Sequence, residues 1–236
     1  MHRLGTIRRK LLKSLKTNGL LGTVKLILMQ PILHFQEARS VKKRNRIQET
    51  FDNQYGTDTG GVIPLSELSV DSPNWIYGGR YGPTSPERFR ECVAMLPVMQ
   101  ADLRQFTFID LGSGKGATLL YAAAMGFHKV VGVEFVRALH EVAEANVRRY
   151  PMKETRVELV CGDASDYKFP EEPLVVFASN PFSRELMNKV LENLSQHHGT
   201  VYFIHENAVY SVRDLPASGF LRRLASDAVC SVYVRG

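Results

Sequence analysis

Apolar positions along the chain fall into two alternating kinds of run. Five short runs rich in Val, Ile and Phe, at 106–111, 129–134, 156–161, 173–179 and 200–206, predict strands. Between them, 115–126, 136–149 and 183–197 have the spacing of helices. Strand and helix in alternation predict an α/β fold, with a parallel sheet and right-handed crossovers. Two short antiparallel strands are predicted near 219–224 and 228–234. Upstream, Thr84-Ser85-Pro86-Glu87 predicts a helix start. Ser85 is the N-cap and Pro86 the first helical position, and the helix runs to about Leu96.

The first fifty residues follow another pattern. Leu4, Ile7, Leu11 and Leu15 lie on one face of a helix, and Asn18-Gly19 stops it. The apolar stretch from Leu20 to Phe35 contains Lys25, Gln30 and Pro31, too interrupted to span a bilayer. No small-residue cleavage site follows a clean apolar run, so it does not read as a signal peptide. Residues 51–90 read as a loop-rich stretch, with Tyr55-Gly56, Thr59-Gly60-Gly61, Tyr77-Gly78-Gly79 and Tyr81-Gly82-Pro83 as turn signals. Trp75, Tyr77 and Tyr81 argue against disorder, and the stretch is expected to fold over the main domain as a lid. The predicted organisation is a basic helical arm (1–50), a cap segment with its helix (51–97) and the strand–helix domain (98–236).

Charge sharpens that division. Residues 1–50 hold 12 Lys and Arg against Glu37 and Glu49, a net of +10, which leaves −4 for the other 186 residues. The arm fits an accessory packing element, a membrane-surface helix or a nucleic-acid-binding arm. No stacking aromatic lies within the cluster Lys42-Lys43-Arg44-Asn45-Arg46, which weakens the last reading. Cys92, Cys161 and Cys230 are widely spaced and form no C-x-x-C pair. They suggest buried or incidental thiols in a reducing compartment, with no zinc site and no disulfide framework. The expected location is the cytoplasm, with the arm at a membrane surface as one alternative.

The candidate chemistry centres on Phe106-Thr-Phe-Ile-Asp110-Leu-Gly112-Ser113-Gly114-Lys115-Gly116, a strand entering a glycine turn before a helix. Such a turn brings backbone close to a ligand and points helix N–H groups at it. The spacing excludes a Walker loop. A dinucleotide fingerprint is formally met by Gly112, Gly114 and Ala117. Asp110 opposes that reading, because a pyrophosphate disfavours a carboxylate there, whereas a ligand with a positive amino group favours one. Glu134 ends the next strand, where a carboxylate accepts from both ribose hydroxyls. A nucleoside with an amino-acid tail, S-adenosyl-L-methionine, satisfies both. Lys115 reads as a solvated lysine.

Asp110-Leu-Gly-Ser-Gly-Lys-Gly116, Val131-Gly-Val-Glu134, Cys161-Gly-Asp163-Ala164 and Ser179-Asn-Pro-Phe182 together resemble the class I S-adenosylmethionine-dependent methyltransferases over about residues 105–206. The resemblance implies a Rossmann-like seven-stranded sheet in the order 3-2-1-4-5-7-6, with the cofactor across the carboxyl ends of the first strands. It implies that Gly112, Ser113, Gly114 and Gly116 run under the methionine part and that Asp110 organises the loop or the amino group. Glu134 would hold the ribose, Phe135 the adenine face, and Asp163 with Ala164 the adenine amine. Asn180-Pro181-Phe182 resembles the Asn-Pro-Pro-aromatic motif of enzymes that methylate nitrogen, with one proline and Phe in place of Pro-Pro-Tyr. An Asn-rich, Phe-ended version occurs in seven-strand histone lysine methyltransferases and in bacterial relatives of unassigned substrate. In the enzymes with the Asn-Pro-Pro-aromatic motif the Asn side chain and a neighbouring carbonyl accept from the target nitrogen and align it with the methyl group. The segment Asp52-Asn-Gln-Tyr-Gly-Thr-Asp-Thr-Gly60, with Tyr81-Gly-Pro-Thr84, resembles the cap of those relatives and places Tyr81 and Thr84 at the cofactor or substrate entrance. The implied function is methyl transfer, favouring a lysine-type protein nitrogen, with RNA or a small molecule as other acceptors. A nicotinamide oxidoreductase and a non-catalytic nucleotide-binding protein are the alternatives.

Overall fold

The computed structural model describes residues 42–43, 45–63, 81–97, 102–152, 154–179, 183–206 and 219–235. The chain divides into two compact units, Met1–Arg46 and Ile47–Gly236. In the first, Lys42, Lys43, Asn45 and Arg46 are helical and exposed. Most of the arm, and Trp75 and Tyr77 of the expected lid, lie outside the described residues.

The second unit is built on a seven-stranded sheet in the order β3-β2-β1-β4-β5-β7-β6. Its strands are β1 (Thr107–Leu111), β2 (Lys129–Glu134), β3 (Arg156–Cys161), β4 (Leu174–Ser179), β5 (Val201–Glu206), β6 (Leu221–Ser226) and β7 (Cys230–Arg235). The first five pair in parallel, whereas β7 runs antiparallel to both β5 and β6. This is the strand order the resemblance implies.

Alternation along the central strands loads both faces of the sheet. Phe108, Val130, Val175 and Phe177 face α2 (Pro86–Ala94) and α3 (Ala117–Ala124). Ile109, Val131, Val176 and Phe203 face α5 (Arg184–Ser195). Central strands buried on both faces read as near-continuous apolar runs, which is how β1, β2 and β4 appear in the sequence. α4 (Arg137–Arg149) lies over β2 and β3.

α2 begins as expected: Ser85 caps it by accepting from the Arg88 amide, and Pro86 occupies the first turn. It buries Phe89 edge-on to Phe108, with ring centroids 5.5 Å apart. Completely burying such a ring is worth about 1.5–3 kcal/mol, so α2 belongs to the core.

The segment before α2 differs from the loop-rich expectation. Residues 47–55 of this unit are helical and are called α1. Gly56 ends the helix at φ +68°, the left-handed conformation of a C-terminal glycine stop. Phe51 of α1 stacks on Tyr150 at 5.8 Å and meets Tyr121 edge-on at 5.1 Å, while Tyr55 lies 4.7 Å from Tyr150. The rings fasten α1 across α3 and the end of α4. Beyond it, an isolated antiparallel bridge joins Ile63 to Tyr81.

Candidate active site

Leu111, Glu134, Ser179 and Glu206 are the last residues of four parallel strands, so all four lie on one edge of the sheet. The glycine loop rises from this edge. The amides of Gly112 and Ser113 both donate to the Val133 carbonyl, at 2.8 and 3.1 Å. The Gly114 amide donates to one Glu134 carboxylate oxygen at 2.7 Å, and the Val136 amide donates to the other at 2.8 Å. Glu134 therefore ties the loop to the start of α4. Its carboxyl pKa is raised by burial, opposed by the amide donors.

Asp110 is buried and accepts from the Thr118 hydroxyl of α3. Burial pushes its carboxyl up to about 7; the Thr118 hydroxyl opposes this, while Glu134 and Glu206 add to it. Three buried carboxylates, Asp110, Glu134 and Glu206, thus share the edge of the sheet.

Ser113 follows in the same loop and is buried. Its hydroxyl turns inward: a Cβ on Gly132 would lie 2.8 Å from the Ser113 Oγ and 2.5 Å from Leu119 Cδ1. Gly116 caps α3 with no side-chain bond. Phe135 is half-buried beyond Glu134, and Ala164 is buried. Asp163 uses Oδ1 to accept from the Ser165 amide and hydroxyl, at 2.9 and 2.8 Å, so this carboxylate also shapes its own turn.

Tyr81 and Thr84 both reach the edge. The Tyr81 ring lies on Gly114, where a Cβ would be 2.6 Å from Tyr81 Cδ2. Its hydroxyl donates to the Thr59 carbonyl at 2.6 Å and accepts from the Lys115 amide. Burial raises the phenol well above its ordinary pKa. Thr84 donates to Glu206 at 3.1 Å, and the Ser179 hydroxyl donates to the same carboxylate. The Arg88 guanidinium stands 3.8 Å from its other oxygen. Asn180, Pro181 and Phe182 lie outside the described residues. Ser179 fixes the strand end immediately before them, and Ser183 caps α5 immediately after. His205 is buried, and burial lowers its imidazole to about 4, leaving it neutral at neutral pH.

Lys115 corrects the sequence reading. It is buried, not solvated: its ammonium lies 2.7 Å from Asp58 Oδ1, donates to the Gly60 carbonyl at 3.0 Å and stands 5.7 Å from the Tyr81 ring centroid. Asn146 of α4 completes the arrangement. Its side chain donates to the carbonyls of Asp58 and Lys115 and accepts from the Asp58 amide at 2.7 Å. Asn146 had no sequence signal, being a polar residue within a helical run. Among the described residues, no group of three or more His, Cys, Asp or Glu side chains is placed to hold a metal, and no helix is long and apolar enough to cross a membrane.

The sheet order, the glycine loop and the acidic residue ending β2 define a class I S-adenosylmethionine-binding fold. Residues 108–202 match the family model described as a methyltransferase domain, which together with the class I fold supports an S-adenosylmethionine-dependent methyltransferase enzyme. Two solved structures share the fold at low sequence identity. The yhhF protein of Escherichia coli, described as a methyltransferase, is 19% identical; the match covers 74% of this chain and 98% of that one, with a TM-score of 0.51. Magnesium protoporphyrin IX methyltransferase of Synechocystis PCC 6803, solved with S-adenosylmethionine bound, is 13% identical; the match covers 64% of this chain and 79% of that one, also with a TM-score of 0.51. No curated protein matches the sequence.

Proposed function

We propose that the protein methylates an amine nitrogen of lysine type on a protein substrate. The observation that carries this reading is Glu206, a buried carboxylate ending β5, hydrogen-bonded to Ser179 and therefore next to the Asn180-Pro181-Phe182 motif. With Asp110 and Glu134 it sets three carboxylates against the Arg88 guanidinium, a field that draws cations to this edge. The same field suits the cofactor, whose sulfonium and ammonium groups are positive. When bound, S-adenosylmethionine supplies the activated methyl group.

The backbone of Gly112, Ser113, Gly114 and Gly116 passes under the methionine part, beside Asp110. Glu134 accepts from the ribose hydroxyls, Phe135 covers the adenine, and Asp163 and Ala164 receive its amine. Tyr81 and Thr84 border the entrance. Asn180 accepts a hydrogen bond from the acceptor nitrogen and aims its lone pair, with Phe182 as an apolar wall. The nitrogen forms its bond to the methyl carbon as the carbon–sulfur bond breaks, and its proton leaves to water. Alignment supplies most of the acceleration. The net charge of +10 on residues 1–50 supports an anionic partner for the arm.

Glu134→Ala is expected to lose most of the affinity for S-adenosylmethionine in titration calorimetry. With methyl-labelled S-adenosylmethionine and fractionated cell extract, label is expected in protein and, after hydrolysis, in methylated lysine. Label confined to RNA or small molecules would overturn the acceptor assignment.

A further inference from the structure

Residues 57–60, an irregular segment that pairs with no strand of the sheet and is called the cap strand only for its extended course beside the glycine loop, are held by many polar contacts. Asp52 is their hub. It accepts from the Thr57 hydroxyl, the Thr59 amide and hydroxyl, and the Gly60 amide, all within 3.0 Å. Thr57 also donates its amide to the Asp52 carbonyl, and the Asp58 amide goes to Asn146. Every amide from Thr57 to Gly60 is thereby bonded. Gln48 donates to Thr59 and accepts from Tyr121 at 3.0 Å, joining the same strand to α1 and α3. Nothing in these contacts serves the sheet. They converge on the glycine loop, through Lys115 and Tyr81.

Lys115 is the point of convergence. It lies between Gly114, whose amide is on Glu134, and Gly116, which starts α3. Its ammonium is out of water, and a buried cation is tolerated only when it is paired and hydrogen-bonded. Both compensating groups, the Asp58 carboxylate and the Gly60 carbonyl, belong to the cap strand. The Asp58 side chain, by contrast, is largely exposed. If the cap strand lifts, Lys115 must either follow it or turn out to water. Either movement pulls on the peptide adjoining Gly114 and on its bond to Glu134. The Lys115 amide adds a second link, through the Tyr81 hydroxyl to Thr59.

We propose that Lys115 is a positioning residue for cofactor binding: clamped by Asp58 and Gly60, it couples closure of the 57–60 cap strand to the geometry of the Gly112–Gly116 loop, so that cap closure and S-adenosylmethionine binding are one linked event. The cap strand is then part of the cofactor site although it supplies no group from the methyltransferase motif. The coupling is reciprocal, because linkage requires cofactor to close the cap by the same factor that cap closure tightens cofactor. The inference rests on the cofactor, not on the identity of the acceptor.

The test uses the full chain with S-adenosylmethionine and, separately, S-adenosylhomocysteine. Lys115→Met and Asp58→Asn are each expected to weaken both ligands about tenfold, and the double variant little further, because each single change already breaks the link. Lys115→Arg should restore part of the loss. In hydrogen exchange, ligand should slow the amides of Thr57–Gly60 in the native chain and fail to do so in Asp58→Asn. The Asp58 side of the pair is exposed, so this variant keeps the measurement interpretable if Lys115→Met does not fold. Affinity of Asp58→Asn within twofold of native, or cap amides indifferent to ligand in the native chain, would overturn the proposal. So would fully additive losses, which would mean two independent structural effects.

Discussion

Gly114 is the position where one methyl group should do most harm. Its φ of +53° lies in the left-handed region, so any other residue pays about 1–2 kcal/mol for the backbone alone. Alanine adds a Cβ 2.6 Å from Tyr81 Cδ2, with Cε2 nearer still, and the ring must move. Overpacking of this kind costs about 1–3 kcal/mol. The ring is not free to swing, because its hydroxyl is bonded to Thr59, and stranding that buried group adds about 1 kcal/mol or more. The sum for Gly114→Ala is about 3–6 kcal/mol, which for a chain of this size lowers the melting temperature by about 6–24 °C. Thermal unfolding followed by circular dichroism measures it. A double-mutant cycle with Tyr81→Ala separates the two causes. Without the ring, Gly114→Ala should cost only the backbone share, leaving a coupling of about 2–4 kcal/mol. Additive effects would mean that Tyr81 does not rest on the glycine loop, and the account of the cap would fail with it.

Two further outcomes concern pH. Asp110 is raised by burial from about 4 to about 7, so its contribution to stability is complete below the unfolded value and is lost as pH rises through 7. Asp110→Asn should therefore gain stability relative to the native protein between pH 5 and 8, as read by urea midpoints; parallel profiles would refute this. Binding a cofactor with positive groups should expel the Asp110 proton near pH 6.5, seen as a dependence of calorimetric heat on buffer ionisation. Asp227 behaves in the opposite sense: the Arg88 guanidinium, bonded to it at 2.8 and 3.0 Å, holds its carboxyl well below the usual range. Its contribution is present above about pH 4 and lost as pH falls, so Asp227→Asn should flatten the acid limb of stability. Asp227→Ala also strands the Val229 and Cys230 amides and should cost about 1–3 kcal/mol in chemical unfolding.

What the sequence revealed, and what it hid, divides by the range of the interaction responsible. The strands were legible because each buries a run of its own neighbours; β2 begins and ends where its Val-rich run does. Helix α2 was legible because its cap is local, with Ser85 three residues from the amide it accepts. Lys115 was misread because its partner is 57 positions away, and nothing near it in sequence marks a buried cation. Asn146 stands 88 positions from Asp58 and was hidden for the same reason. The start of the cap was misread through a local ambiguity: Tyr55-Gly56 signals a turn, and the same glycine is the stop of α1. The identity of the glycine loop lay in between. Its glycines fitted two ligand classes, and carboxylates on neighbouring strands were needed to separate them.

Those carboxylates also explain why a cap is needed at all. Asp110, Glu134 and Glu206 lie within electrostatic reach of one another, and burial makes their mutual repulsion expensive. Each is held by a neutral donor from another element: Thr118 of α3 for Asp110, loop amides for Glu134, and Ser179 and Thr84 for Glu206. Thr84 belongs to the cap side of the molecule, and Arg88, the cation nearest Glu206, sits one turn into α2. The described residues 47–63 and 81–97 therefore do more than cover the sheet. They complete the core through Phe89 and hold the Glu206 carboxylate through the Thr84 hydroxyl and the nearby Arg88 guanidinium.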